Sequence, residues 1–287
     1  MTAPPADART PWKRASLAKW ITDVDTGAGP LLARVIVNRL WQHHFGRGIV
    51  ATPSDFGAQG DKPTHPELLE WLAGELIRDG WQLKPLHRLM MLSAVYRESS
   101  DSARADGQRI DPNNVLLWHR PRTRLEGESI RDAILAVSGT LDETMFGPGT
   151  LDQAMWRRSI YFQIKRSQLP AMLAAFDAPD TLQSMGLRPS TTVAPQSLLL
   201  MNNPQIRGAA RAWAKRLSGA PVADAVTRAY REAFGREPSR GEAADVRAFI
   251  SSQAETYAAG GKADAAELAL TDFCQALFGL NEFVYVE

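Results

Sequence analysis

The sequence predicts a mainly α-helical protein: an irregular helical domain with long ordered loops, at most a small β element, and a C-terminal helical bundle. Apolar residues recur at intervals of three and four over most of the chain, which is the period of one buried helix face. From Pro204 onward such segments follow one another with Gly, Pro and Ala-Gly-Gly turns between them, at 205–217, 222–234, 239–252 and 263–278.

The composition excludes several classes of partner and of cofactor site. At 287 residues, the chain can form one large domain or two smaller ones. Its 33 basic and 32 acidic residues nearly balance, so no nucleic-acid partner is indicated. No apolar run approaches the roughly 20 residues that span a bilayer. The single cysteine, Cys274, excludes an internal disulfide, a multi-cysteine metal site and a covalently attached c-type haem within this chain.

The order of segments predicts three regions. Residues 1–11 are rich in Pro and Ala and lack the apolar segment of a signal peptide, so they are expected to be a disordered leader, and by themselves they predict a cytoplasmic chain. A main helical domain is expected over residues 12–218. A soft boundary near Gly219 precedes a C-terminal helical subdomain, residues 219–287, packed on the main domain. Within it, Ser239 and Glu242 match a capping box.

The most specific stretch runs from Leu31 to Gly48. Its apolar spacing predicts a helix with one buried stripe, which ends at Gly46. About twenty residues without a periodic pattern follow, ending in a match to a capping box at Thr64 and Glu67. Compact domains rarely keep such a loop unless it packs or functions, so the loop is a candidate site. The last helical turns carry many hydrogen-bonding side chains: Asn38, Arg39, Trp41, Gln42, His43 and His44.

We expect these side chains to share a polar core with the loop and with a helix predicted at 124–137. Because an unpaired buried charge costs several kcal/mol, Arg39 or Arg47 should meet an acidic partner. The favoured interpretation is that this network fixes the loop and catalyses nothing. The predicted network comprises Asn38, Arg39, Trp41, Arg47, Asp55, Glu67, Arg124 and Glu128, with Asp55, Glu67 and Glu128 as the acidic partners.

The sequence contains no catalytic motif of the G-x-S-x-G, S-x-x-K or H-E-x-x-H type. If the protein is an enzyme, the candidates are His44, Asp55 and His65, which would have to converge across the loop. A metal site would need His43 or His44 to join Asp55, His65 or His87. Adjacent helical histidines point about 100° apart. Structural histidines are therefore favoured, and no metal is predicted.

For Cys274 and for a group of aromatic residues, a structural interpretation is favoured over a functional one, and a third segment is a strand candidate. Cys274 lies among apolar neighbours and is expected to be a buried, inert thiol. Residues Trp156 to Ile164 are the best strand candidate, because they are rich in aromatic and β-branched residues. Several aromatic residues could stack on sugar rings but are more often core at helical spacing: Trp41, Phe56, Trp71, Trp81 and Trp118.

An ordered series of short motifs also carries a family resemblance. Because of these motifs, the chain resembles the planctomycete cytochrome-c-associated "PSD" domain, which is a domain of unknown function. The resemblance runs from about Arg14 to the C-terminus. The early motifs are Asn38-Arg39-Leu40-Trp41, His44-Phe45-Gly46-Arg47-Gly48, Thr52-Pro53-Ser54-Asp55-Phe56-Gly57, His65-Pro66-Glu67-Leu68-Leu69 and Leu86-His87-Arg88-Leu89. The later motifs are Arg124-Leu125-Glu126, Ile130-Arg131-Asp132, Arg158-Ser159, Phe176-Asp177, Thr191-Thr192, Pro195-Gln196 and Asn281-Glu282-Phe283.

The resemblance implies a context rather than a reaction. Proteins of this family usually carry a signal peptide and often an upstream cytochrome-c-like domain, so a c-type haem outside this chain is implied. The chain would then be the C-terminal, accessory structural or interaction module of a multidomain protein that is periplasmic or otherwise extracytoplasmic. Its partners would be upstream domains of the same polypeptide or a neighbouring protein. The alternative is a hydrolase-like enzyme that acts on a polysaccharide or related substrate through a His/Asp cluster.

Overall fold

The computed structural model describes residues 13–101, 105–165, 169–179 and 184–286, so the predicted leader lies outside the described residues. Thirteen α helices and one two-stranded sheet form within them, which confirms the mainly α fold class. The helices are α1 (Lys13–Thr22), α2 (Gly29–Phe45), α3 (Pro66–Arg78), α4 (Leu83–Leu92), α5 (Ala105–Ile110), α6 (Gly127–Ser138), α7 (Ala171–Ala175), α8 (Ala194–Asn202), α9 (Pro204–Leu217), α10 (Val222–Phe234), α11 (Arg240–Ala259), α12 (Ala265–Phe278) and α13 (Asn281–Val284).

The chain divides into two units, one up to Arg122 and one of Thr123–Val286. The predicted soft boundary near Gly219 falls inside the second unit. There α9, which precedes that boundary, packs against α12, which follows it, and buried residues of both helices belong to one apolar cluster. The apolar faces of α9 and α12 are buried against each other, so the chain at Gly219 is a turn within one core.

The first unit is built on α2, which packs against α3 and α4. Pro30 lies in the first turn of α2, where its missing N–H costs nothing, and Gly46 ends the helix with a φ of 80°. The ring centroids of Trp41 and Phe45 are 4.1 Å apart. The core of this unit contains Ala33, Val37, Trp41, Phe45, Ile49, Val50, Leu69, Leu72, Ala73, Leu76, Leu86 and Met90.

The second unit is built on α9 and α12, with α6, α10 and α11 around them. Fully buried Trp213 stacks on Phe278 at a centroid distance of 5.3 Å, and its indole N–H donates to Glu232 at 2.7 Å. The two ends of the unit pair as a short antiparallel sheet of β1 (Thr123–Arg124) and β2 (Tyr285–Val286).

Cys274 is buried in the core of the second unit, as its apolar neighbours predicted, and burial raises the pKa of its thiol. None of the helices described is long and apolar enough to cross a membrane.

Three local predictions are wrong. The stretch 156–164 forms a 3₁₀ turn (Ser159–Tyr161) and isolated bridges instead of a strand. The guanidinium of Arg131 binds the carbonyl oxygen of Met155, just before the stretch, and that of Arg157 within it, so these oxygens are not available to a neighbouring strand. α3 begins without a side-chain cap, because the Thr64 hydroxyl bonds to the Ile49 carbonyl and to His65 instead. α6 begins only at Gly127, so Arg124 lies on β1 and is not one helical turn from Glu128.

The capping box at the start of α11 is confirmed. The Ser239 hydroxyl accepts the Glu242 N–H at 3.2 Å, and the Glu242 carboxylate accepts the Ser239 N–H at 2.7 Å. Arg236 binds the same carboxylate and that of Glu282 with distances of 2.6–3.0 Å. The hydrogen bonds from Arg236, followed by that from the Ser239 N–H, lower the pKa of Glu242 to about 2.

This lowered pKa predicts an acid-sensitive contribution to stability. Glu242 stays charged in the folded chain after the unfolded chain has protonated near 4.5, so its stabilisation is present above pH 4.5 and is lost as the pH falls towards 2. Because the side chain is 34% exposed, solvent screening reduces the contribution to about 1 kcal/mol. Denaturant unfolding at pH 5.0 and pH 2.5 should show that Glu242→Gln loses less stability between the two values than the native chain. The exposed Glu143→Gln should behave like the native chain, and equal losses in all three would contradict the assignment.

Candidate functional site

The loop between α2 and α3 is held by a single buried amide. Asn38, fully buried near the end of α2, accepts the Val50 N–H at 2.8 Å and donates to the Val50 carbonyl oxygen at 3.0 Å. The Asn38 side chain thus satisfies both backbone polar groups of Val50, which is a buried residue in an irregular segment. Gly48 is required beside them, because an added Cβ would lie 2.5 Å from the Val50 oxygen and 2.7 Å from the Asn38 nitrogen. Asn38 therefore fixes the chain as it leaves the helix.

The rest of the loop is fixed by backbone hydrogen bonds and by the Thr52 hydroxyl. The Thr64 N–H donates to the Ile49 carbonyl at 2.9 Å and ties the end of the loop to its beginning. At the tip, the Thr52 hydroxyl donates to the Asp55 carbonyl at 2.9 Å and accepts the Asp61 N–H at 2.9 Å. Gly60 packs so closely that a Cβ would lie 2.1 Å from the Asp55 oxygen. The loop is thus ordered, as predicted for a long loop in a compact domain.

The structure divides the predicted polar network. Asn38 and Trp41 are buried in the first unit, but the four charged members around them are exposed: Arg39, Arg47, Asp55 and Glu67. The predicted sequestration of charge at this helix end therefore does not occur. The physical reason is that the neutral Asn38 already satisfies the buried backbone, so no charge has to be desolvated there. The remaining members, Arg124 and Glu128, belong to the second unit and have other partners.

The histidines form one pair in the first unit. His44 Nε2 lies 2.8 Å from Nδ1 of His87, and the rings meet edge-on at 5.1 Å. Tyr96 packs edge-on against His44, and Arg120 stacks over the Tyr96 ring at 4.0 Å. Burial, and then the charges of His87, Arg120 and His43, lower the pKa of His44. His44 is therefore part of a packed, hydrogen-bonded pair whose surroundings favour its neutral form.

The three predicted catalytic candidates bind three different partners. His44 pairs with His87, the Asp55 carboxylate accepts the Gly57 N–H at 2.7 Å, and His65 pairs with the Thr64 hydroxyl at 2.9 Å. No hydrogen bond joins any two of the three candidates in the part of the chain that the structure describes. Among those residues there is also no group of three or more His, Cys, Asp or Glu side chains that could hold a metal ion.

A second polar cluster lies at the start of α6 in the second unit. Arg124 and Asp177 form an ion pair at 2.6 Å, with side chains only 4% and 15% exposed. The Asp177 carboxylate also accepts the N–H and the hydroxyl of Thr191, both at 2.8 Å. Burial opposes the charge on Asp177, but the Thr191 hydrogen bonds and Arg124 outweigh it and lower its pKa. Asp177 has a φ of 60°, which aspartate tolerates better than most residues.

Arg188 completes this cluster, defined as Arg124, Glu126, Glu128, Asp177 and Arg188 and called the α6 cluster below. Its Nη1 lies 2.8 Å from Glu128 and 3.2 Å from Glu126, and its Nε donates to the Asp177 carbonyl at 2.9 Å. The cluster ties Asp177 and Arg188 to the first turn of α6 and to the residues just before it. Because each of its carboxylates is paired with an arginine, it fits a structural role better than acid–base chemistry.

Sequence reasoning missed the partners that matter most here. Asp177 and Arg188 were not predicted in any network, because their partners lie far away in the sequence, and His87 was considered beside His44 only as a possible metal ligand. One signal was present: Phe176-Asp177 and Thr191-Thr192 are among the motifs that carry the family resemblance, and the structure brings Asp177 and Thr191 together. Spacing alone could not have shown this contact, since fourteen residues separate the two positions.

Fold and clusters together define a mainly helical protein of two units whose irregular segments are held by buried side chains. The family model described as "PSD1: Protein of unknown function (DUF1553)" matches residues 13–250, which is most of the chain. The chain therefore belongs to the PSD1 family. No curated protein and no solved structure matches it.

Removing the buried amide should loosen the loop. Asn38→Ala leaves the N–H and C=O of Val50 buried without partners, and we expect a loss of about 3 kcal/mol in local stability. Hydrogen exchange measured on peptides that cover residues 48–64 should show this loss of local stability as faster exchange of the loop amides. Gln59→Ala removes an exposed amide from the same loop and should change nothing. Unchanged protection in Asn38→Ala would rule out this account of the loop.

Breaking the buried ion pair should destabilise the second unit. Asp177→Asn leaves the guanidinium of Arg124 buried without its counter-charge, and we expect a loss of about 3 kcal/mol in the free energy of unfolding. Guanidinium chloride titration followed by circular dichroism measures it. Asp245→Asn, an exposed position on α11, is the matched control and should stay within about 0.5 kcal/mol of the native chain. If both variants are equally stable, the pair does not hold this segment.

Proposed function

We propose that this chain is an accessory interaction module that docks a neighbouring domain through α1. The observation that carries the proposal is the apolar stripe on this helix, defined as Leu17, Trp20 and Ile21. These side chains are 56%, 50% and 37% exposed, and their spacing of three and four places them on one helix face. The helix instead buries Ser16. A Trp flanked by aliphatic residues on one exposed face is typical of an interface anchor.

The stripe is held rigidly, as a binding surface should be. The Trp20 carbonyl accepts the Ala28 N–H at 3.0 Å, and Asp23 organises the turn by accepting from Thr26 and Asp25. Gly27 lies so close to α1 that a Cβ would be 2.1 Å from the Trp20 oxygen. α1 is therefore fixed to α2, so binding would cost little additional ordering of the helix.

The partner we propose is a cytochrome-c-like domain, upstream in the same polypeptide or in a neighbouring protein, as the resemblance implies. The haem would belong to that domain, since this chain has one cysteine, and that cysteine is buried. A periplasmic or otherwise extracytoplasmic location follows from the same resemblance. An apolar surface of this kind suits a permanent neighbour in a multidomain protein.

The alternative, a hydrolase-like enzyme that acts on a polysaccharide through His44, Asp55 and His65, is not favoured by any contact among these side chains. A carboxylate and a histidine act together only within hydrogen-bond reach. Each of the three is engaged elsewhere. The interaction module therefore accounts for more of the structure.

The test is direct binding. A purified cytochrome-c-like domain from a family member that carries both domains is titrated into this chain in a calorimeter. We expect binding by the native chain. Trp20→Ser should weaken this binding at least about tenfold, because a buried interfacial Trp typically contributes roughly 2 kcal/mol or more.

Trp71→Ser is the matched control, because Trp71 is 48% exposed on α3 of the same unit but lies outside the stripe. Its affinity should equal that of the native chain. No binding by the native chain, or equal weakening by the two variants, would overturn the proposal.

A further inference from the structure

The second unit contains a cavity of about 500 Å³ that neither polar cluster explains. This volume is within the range of small-molecule sites. Its apolar wall comes from Trp156, Phe162, Met172 and Leu173, and its polar groups come from Arg131, Gln153, Asn203 and Gln205. An apolar wall with a few convergent polar groups is the usual composition of a ligand site.

The charged group of the cavity is Arg131, whose ion pair with Asp132 is long, at 3.6 Å, and whose Nη1 also donates to the Ser159 hydroxyl at 3.3 Å. Arg131 is 4% exposed, and its guanidinium stacks over Phe162 at 4.8 Å. It donates to the carbonyls of Arg157 (2.9 Å) and Met155, while its buried Nε has no partner among the described residues. The carboxylate of Asp132 is 3.6 Å away and already accepts the N–H and hydroxyl of Ser159, both at 2.7 Å. Burial therefore disfavours the charge and lowers the pKa of Arg131.

The amides beside this charge present donors. Gln153 uses its oxygen to accept the Ala171 N–H at 3.1 Å, so its NH₂ group is left for another partner. Asn203 uses its oxygen to cap α9, accepting from Gln205 at 2.8 Å and Ile206 at 3.3 Å, which leaves its NH₂ group as well. A positive charge and two amide donors favour a ligand that accepts hydrogen bonds and carries negative charge.

We propose that this cavity binds a small organic carboxylate with an apolar body. The carboxylate lies on the side of Arg131 and the NH₂ groups of Gln153 and Asn203. The apolar body lies against Trp156 and Phe162. In a site of low dielectric, the anion offsets the buried positive charge, which water does only at the open side. The rival explanation is that Arg131 only holds the backbone carbonyls at 155–157.

The first arm of the test varies the charge of the probe and leaves the protein intact. ¹⁹F NMR titrations of the full chain use 4-fluorobenzoate and 4-fluorobenzyl alcohol, which share an aromatic body and differ in charge. We expect the carboxylate to bind at least about tenfold more tightly, since a hydrogen bond to a charged group is worth roughly 1.5–3 kcal/mol. No binding of the carboxylate, or equal binding of both probes, would overturn the proposal.

The second arm fills the cavity. Gly208 lies on α9 and lines the cavity, and an added Cβ there meets no atom within 4 Å. Gly208→Leu should therefore fold and abolish binding of 4-fluorobenzoate. Gly74→Leu is the matched control, because Gly74 is also a helical glycine with open space at its Cβ, but on α3 of the first unit. Retained binding in Gly208→Leu, or equal loss in both variants, would place the probe elsewhere and contradict the proposal.

Discussion

The structure depends on side chains that serve as hydrogen-bond partners for irregular backbone. Asn38 satisfies both polar groups of Val50, Arg131 holds the carbonyls of Met155 and Arg157, and Asp177 accepts the Thr191 N–H. A buried backbone group without a partner costs about as much as a lost hydrogen bond. Long loops in a helical protein have no ladder that could supply these partners, so a few buried polar side chains supply them instead.

This constraint also explains where charge is buried and where it is not. At the end of α2 a neutral amide is enough, and the neighbouring Arg39 and Arg47 remain in solvent. At the start of α6, Asp177 is partly buried because it accepts from the backbone, and Arg124 is buried as its counter-charge. A carboxylate can accept several hydrogen bonds at once, which an amide cannot match, but it needs a cation beside it when solvent is excluded. The choice between amide and carboxylate follows from the number of groups to be satisfied.

The two surfaces that we propose for binding include neither Asn38 nor Asp177. The stripe of Leu17, Trp20 and Ile21 belongs to the first unit, and the cavity beside Arg131 belongs to the second. Arg131 takes part in both functions, because it anchors the backbone with Nη1 and Nη2 and lines the cavity. A chain that binds a domain at one unit and a small carboxylate at the other would have two separable activities.

The sequence by itself determined the helices that carry local signals: apolar period, Pro30 at the start of α2, Gly46 at its end, and the capping box at Ser239. It did not predict the short helices α5, α7 and α13. It also indicated that the loop after α2 is ordered. Only the tertiary structure decided which polar residues are buried together. Asn38 and Val50 are twelve residues apart and Arg124 and Asp177 fifty-three, and no periodicity relates such positions. Burial of a side chain depends on what packs over it, and that is a property of the whole fold.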